Sequence, residues 1–237
     1  GGAANSYDIY VRNWQTGTIV RASVSNGGAA GDRESWDPSL SADGTAVGFT
    51  SWATNLTPGD SKSAYDIFVR KLSQNQTNLA SGHAFAFTEP NNHNDCPALS
   101  LDGRYVAYCS SANNLVPSDD NNGRDIFVTD RQTGATTLVS AAYWGGFTWG
   151  ANSYDKVSLS DNGRYVAFSG NGSYFIEDDN NGLNDIFVRD RQTNTTERVS
   201  VDSGGGEANN GSYGPSLSAD GNLVAFYSYA RHLVPGA

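Results

Sequence analysis

The sequence has no methionine among its 237 residues, two cysteines and three histidines. It contains no G-x-S-x-G, H-E-x-x-H, P-loop or C-x-x-C string. The motif-borne chemistries of those strings therefore have no visible seat. Basic residues are scarce as well: 15 Lys and Arg stand against 25 Asp and Glu, a net charge of −10. So acidic a surface is repelled by phosphate backbones and anionic lipid, which argues against nucleic-acid or membrane-surface binding. No apolar run approaches the roughly 20 residues that span a bilayer as a helix, so membrane insertion is not expected. Helical periodicity is missing throughout. The absent methionine, position 1 included, reads as a mature or excised segment whose export signal has been removed, hence secreted or periplasmic.

What is abundant is glycine (27), tyrosine (12), phenylalanine (10) and tryptophan (5), the profile of a turn-rich β protein. Two blocks recur four times. One reads Asp8-Ile-Tyr-Val, Asp66-Ile-Phe-Val, Asp125-Ile-Phe-Val and Asp185-Ile-Phe-Val. The other reads PSLSADG (38–44), PALSLDG (97–103), VSLSDNG (157–163) and PSLSADG (215–221). Both landmarks share one period of 58 to 60 residues. Each block suggests a β-hairpin, with Gly103 or Asn194 in the left-handed turn position that glycine and asparagine tolerate. Four strands per repeat follow, named A to D.

Both faces of the strands are apolar, Val106 and Tyr108 on one side and Ala107 and Cys109 on the other. Strands buried on both faces and repeated at a fixed interval describe the blades of a β-propeller. The chain opens on a C–D hairpin (8–24) and closes on an A–B hairpin (215–228). Pairing these would complete one blade and remove two open edges. The expectation is a single all-β domain over 1–237, a four-bladed propeller of four-stranded antiparallel blades. The blades are 38–81, 97–140, 157–201, and 215–237 joined to 1–24. Four repeats of a larger ring is the alternative.

The pattern P-x-L-S-x-D-G-x-x-V-A-F followed by D-I-F-V resembles the TolB-like, WD-type propeller repeat over essentially the whole chain. Val157 departs from it at the proline, Asp161-Asn162 at the x-Asp pair, and Ala46-Val47-Gly48 in the first B strand. The resemblance implies a platform for protein interaction and specifies no partner.

A–B and C–D turns are tight, whereas the B–C loops (51–65, 110–124, 170–184) and D–A loops (25–37, 82–96, 141–156, 202–214) are long. Function is expected on the long-loop face. Candidate ligand-binding residues there are Trp36, His83, Phe85, Tyr143, Trp144, Phe147, Trp149, Tyr154 and Tyr213, whose rings suit sugar stacking or interface anchoring. Folding inward to cap the mouth is the other use for them. Asp119, Asp120, Asn122 and Asp125, with Asp178, Asp179, Asn181 and Asp185, crowd oxygens in a way that suits Ca²⁺. Turn hydrogen bonding accounts for the same residues. Cys96 and Cys109 flank one hairpin and are candidates for a disulfide, with two buried thiols as the alternative. His83, His93 and Cys96 share a loop, with no fourth zinc ligand evident.

The expected function is a monomeric, non-catalytic binding module for a carbohydrate or protein partner, with Ca²⁺ as the one conceivable cofactor. The alternative is a glycoside hydrolase or lyase using Glu34, Glu89 and Glu207. A purely structural repeat segment is the third reading.

Overall fold

The computed structural model describes residues 6–60, 64–82, 89–117, 119, 121, 123–142, 156–171 and 174–234. Sixteen strands follow in chain order. A first hairpin pairs β1 (Tyr10–Arg12) with β2 (Ile19–Arg21). Three four-stranded antiparallel sheets come next, each with its strands in sequence order. The first holds β3 (Ser35–Leu40), β4 (Ala46–Ser51), β5 (Asp66–Lys71) and β6 (Gln76–Leu79). The second holds β7 (Asn94–Leu99), β8 (Tyr105–Ser110), β9 (Asp125–Asp130) and β10 (Ala135–Leu138). The third holds β11 (Ser158–Leu159), β12 (Tyr165–Asn171), β13 (Asn184–Asp190) and β14 (Thr195–Arg198). A final hairpin pairs β15 (Ser212–Leu217) with β16 (Val224–Ser228). Among the described residues no helix is long and apolar enough to cross a membrane.

The repeated blocks form the hairpins for local reasons. At each A–B turn a serine hydroxyl and an acidic or amide side chain lock the reversal. Ser41 Oγ donates to Asp43 Oδ1 at 2.7 Å and accepts from the Ala46 N–H at 2.9 Å. Ser100, Ser160 and Ser218 do the same. Gly44 closes the turn at φ 69°, a region that costs a side-chain-bearing residue strain. At each C strand an aspartate accepts from a serine 15 residues on: Asp8 from Ser23, Asp66 from Ser81, Asp125 from Ser140 and Asp185 from Ser200. That serine in turn accepts the backbone N–H that follows the aspartate. The aspartate opening every C strand is thus a latch across the C–D hairpin.

Between blades the strands pack face to face. Ala46, Ile67 and Val69 of the first sheet meet Leu99, Val106, Tyr108 and Phe127 of the second. Ala107, Cys109, Ile126 and Val128 turn the other way, to Val157, Leu159, Val166, Phe168 and Phe187 of the third. Ile9 and Ala22 of the first hairpin pack on Val47, Phe49 and Phe68. Gly48, the departure in the first B strand, leaves room for Leu99, whose Cδ1 would lie 2.4 Å from a Cβ placed there. The A–B turns are also joined by backbone bonds from blade to blade. Asp43 N–H reaches Leu101 C=O (3.0 Å), Leu101 N–H reaches Asp161 C=O (3.0 Å), and Asp161 N–H reaches Ala219 C=O (2.8 Å).

Among the described residues no sheet joins the two terminal hairpins. β1–β2 and β15–β16 stand as two separate two-stranded sheets, so three complete blades are flanked by two half-blades. β1 is only 3 residues long where β5 and β9 have 6, as suits a C strand without its B-strand neighbour. Local pattern specifies each hairpin. Whether the last B strand meets the first C strand depends instead on the angle accumulated over every inter-blade contact.

Candidate functional site

The A strands converge on an axial cavity of about 830 Å³, lined by corresponding residues of all four repeats. Asp37, Cys96, Lys156 and Gly214 form one tier, and Pro38, Pro97, Val157 and Pro215 the next. Three A strands carry a register shift at this tier, between Trp36 and Ser39, Asp95 and Ala98, and Tyr213 and Ser216. There Asp37, Cys96 and Gly214 take φ of 49°, 57° and 62°. Such a bulge re-aims the strand, here turning one residue per blade toward the axis.

The cavity wall carries both signs of charge. Partial burial raises the Asp37 carboxyl pKa, repulsion from Asp95 adds to the rise, and Lys156 opposes it. Arg124 is ion-paired with Asp95 and also reaches Cys96 Sγ at 3.5 Å. Below them lies Cys109, whose thiol pKa is pushed up by its hydrogen bond with Cys96 and by complete burial.

The expected disulfide is corrected here: Cys96 and Cys109 are free thiols. The bulge sets Asp95, not Cys96, opposite Cys109 and throws Cys96 into the left-handed region.

An aromatic cluster stands beside the cavity. Trp36, adjacent to Asp37, meets Tyr65 edge to face at 4.8 Å, and Trp52 meets the same ring at 5.8 Å. His93 lies 4.3 Å from Tyr65 and accepts its backbone N–H through Nδ1 at 3.1 Å. Arg33 sits over Trp52 at 5.1 Å. Tyr213 occupies the corresponding place in the last hairpin, stacked on Tyr227 at 5.6 Å and edge-on to Tyr229 at 6.3 Å. Trp36 and Tyr213 were legible as candidates. Trp52 and Tyr65 were not, because they stand far apart in sequence near the two ends of one B–C loop (51–65), while the aromatic runs drew attention to the D–A loops. His83, Phe85, Tyr143, Trp144, Phe147, Trp149 and Tyr154 lie outside the described residues, as do Asp120 and Asn122.

The acidic residues sort themselves by blade. Asp125 is fully buried; its Oδ1 accepts from Ser140 at 2.6 Å and its Oδ2 from Asn121 Nδ2 at 2.8 Å. Asn181 does the same for Asp185 at 3.1 Å, while its own oxygen accepts the Leu183 N–H at 2.6 Å. That is turn chemistry. Asp178 is exposed, and its backbone carbonyl accepts from Arg198 and Asn180. Asp179, Asp185 and Glu207 do converge, with one carboxylate oxygen each within 4.8 Å of the others. Burial raises the Asp179 pKa to about 6, and repulsion from Asp185 contributes. Arg198 serves this cluster as a built-in cation, ion-paired with Glu207 and 3.6 Å from Asp179.

Asp119 is buried in the second blade. The corresponding residue of the first blade, Asp60, was missed. Its pKa is raised to about 7 by burial, then by repulsion from Asp66, Glu89 and Asp32. The available signal was its spacing, since 60, 119 and 179 keep the repeat period. Glu89 and Glu207 thus each attend a different blade. Glu34 contributes its backbone carbonyl to Trp52 N–H and Ser51 Oγ.

Sheets of four antiparallel strands, stacked at a fixed period around an axial cavity, define a β-propeller. Solved structures agree. TolB from Acinetobacter baumannii matches with a TM-score of 0.51 and 17% identity, over 92% of this chain and 42% of that one. TolB from Agrobacterium tumefaciens matches with a TM-score of 0.53 and 19% identity, over 93% of this chain and 61% of that one. An oligogalacturonate lyase in complex with manganese matches with a TM-score of 0.50 and 14% identity, over 92% and 50%. The chain therefore spans between about two fifths and three fifths of these structures. In fold it is a TolB-like β-propeller. No protein-family model and no curated protein matches the chain.

Proposed function

We propose that the protein is an exported, non-catalytic binding module whose axial mouth takes an extended polar partner, a carbohydrate or a segment of another protein. The observation that carries this reading is the pair of cavity-wall charges Asp37 and Lys156, with the Asp95–Arg124 ion pair behind Cys96 and the Trp36–Tyr65–Trp52 cluster next to Asp37. Fixed charges of both signs next to aromatic surface suit a ligand with polar edges and apolar faces. TolB-like propellers as interaction platforms favour the protein alternative, and the fold's likeness to the two TolB structures accords with export. A hydrolytic reading needs two carboxylates facing one substrate. Glu89 and Glu207 instead sit against buried aspartates of different blades, which favours binding.

The same proposal includes a monomeric ring, completed by residues 224–228 pairing with 8–13. Its support is a contact met three times and missed once. Ala46, Tyr105 and Tyr165 each cover the turn glycine of the next blade, Gly103, Gly163 and Gly221. Leu223 holds the same column but is 73% exposed, and Gly44 has nothing within 4 Å. The two are unmatched halves of a fourth such contact.

Glycan and peptide arrays probed with the intact chain test the function. Trp36→Ala and Lys156→Glu variants, checked for native circular dichroism, are expected to lose any array signal by about tenfold or more, as for anchors at an interface centre. Unaltered binding by both variants would remove the axial mouth from consideration.

A further inference from the structure

In an unbroken strand the neighbours Asp95 and Cys96 would point to opposite faces of the sheet. The register shift between Asp95 and Ala98, with Cys96 at φ 57°, instead sets two residues of β7 against one of β8, Cys109. One ligand atom each of Asp95, Cys96 and Cys109 consequently lies within 4.8 Å of the other two. Cys96 lines the axial cavity and the Asp95 side chain is 34% exposed, while Cys109 is buried in the packing between the second and third blades. A bare ion thus has a path from the cavity, past Cys96 and Asp95, to the inner thiol.

The set belongs to one blade. At the columns of Cys96 and Cys109 the other repeats carry Asp37 and Thr50, Lys156 and Ser169, and Gly214 and Tyr227. Arg124, ion-paired with Asp95 and 3.5 Å from Cys96 Sγ, is equally local, since its column holds Tyr7, Tyr65 and Asn184 elsewhere.

We propose that Asp95, Cys96 and Cys109 form a zinc site in the wall of the axial cavity, with Arg124 as its charged neighbour and the fourth coordination position open to water in the cavity. Tetrahedral zinc takes sulfur and carboxylate ligands at about 2.0–2.3 Å, which sets their atoms roughly 3.5 Å apart, a small contraction of the cluster as it stands. Thiolates select against Ca²⁺ and Mg²⁺, which take oxygen, and the carboxylate separates the set from the all-sulfur sites of copper(I). Charge also balances. Two thiolates and one carboxylate are offset by Zn²⁺ and the Arg124 guanidinium, so the ion enters without leaving an unpaired charge under the cavity wall. Each thiol passes its proton to solvent as its sulfur binds, and no electron is transferred.

The test uses the full chain, kept reduced with a phosphine and freed of metal by chelation. It is titrated with zinc chloride by calorimetry and with cobalt chloride by absorbance. One ion per chain is expected, with thiolate-to-cobalt charge-transfer absorption that zinc abolishes. Zinc should also slow alkylation of Cys96 by iodoacetamide. Cys96→Gly copies the residue that the last repeat carries at this left-handed position, so it should keep native circular dichroism. It should lose the charge-transfer band and weaken zinc binding by about tenfold or more, at least the loss that follows removal of an outer-shell partner. Asp95→Asn should keep the band and weaken zinc binding to a similar degree. Absence of both heat and charge-transfer absorption in large molar excess of metal overturns the proposal. So does zinc affinity unchanged in Cys96→Gly, the mark of binding by surface carboxylates, and so does an Asp95→Asn variant that binds as tightly as the parent chain.

Discussion

Replacing Gly163 with alanine measures how firmly one blade is seated on the next. Gly163 has φ 70°, and a Cβ built there lies 2.3 Å from Tyr105 Cδ2, 2.5 Å from Cγ and 2.9 Å from Cβ. Two costs combine. Left-handed backbone costs an alanine about 1–2 kcal/mol. Ordinary carbon contact begins near about 3.5 Å, so the Tyr105 ring must retreat by more than about 1 Å. It cannot swing freely, because the Arg104 and Arg191 guanidinium groups lie 4.8 and 5.2 Å from its ring centre. Overpacking of this kind costs about 1–3 kcal/mol. The sum is about 2–5 kcal/mol, or about 4–20 °C in melting temperature for a chain of this size. Gly205→Ala is the control, at φ 84° with nothing within 4 Å, and should cost the backbone part alone. Urea unfolding of both variants gives the difference. Equal costs would show that the tyrosine-on-glycine contact does not tie the blades together.

Gly44→Ala extends the same comparison to ring closure. It should match Gly205→Ala if the half-blades stay apart, and approach Gly163→Ala if Leu223 covers Gly44, which the urea midpoint distinguishes. Asp130, held bidentately by Arg104 at 3.0 and 2.7 Å, has its pKa depressed to about 2, chiefly by that hydrogen bond. Its stabilising effect is therefore complete above about pH 4 and is lost as pH falls through about 2. Arg104→Gln should move acid unfolding to higher pH, and an unchanged acid transition would contradict the assignment. Cys109 is fully buried with a raised thiol pKa, so it should resist aromatic disulfide reagents until the chain unfolds. Rapid modification of Cys109 in the native state, read by peptide mass mapping, would show that the second and third blades part readily.

The repeat, the strand order within blades and the two-sided burial were all legible, because each rests on local spacing. Asp43 and Gly44 dictate a turn wherever they fall, and Val106 and Ala107 announce opposite faces. The cysteine pairing was misread because a single left-handed residue, Cys96, shifts the ladder by one step, and no residue type there signals the bulge: aspartate, cysteine and glycine occupy it in turn. The calcium expectation fell on the loops with the densest acid runs; spacing shows those oxygens but not the cation among them, because Arg198, ion-paired with Glu207 and 3.6 Å from Asp179, comes from a different strand. Closure was beyond a pattern of residues, since it sums small angles from every blade contact.

The backbone bonds linking Asp43, Leu101, Asp161 and Ala219 lie at the tight A–B turns. At the loop end two more join neighbours, Ser35 N–H to Tyr7 C=O and Asn94 N–H to Tyr65 C=O, both at 2.8 Å. The seams between the first hairpin, the first blade and the second are therefore stitched by main chain at one end or both, with no side chain to trim. A substitution at the axial mouth can change what the wall offers a partner without loosening those seams, so the mouth is free to vary in chemistry while the frame around it stays fixed.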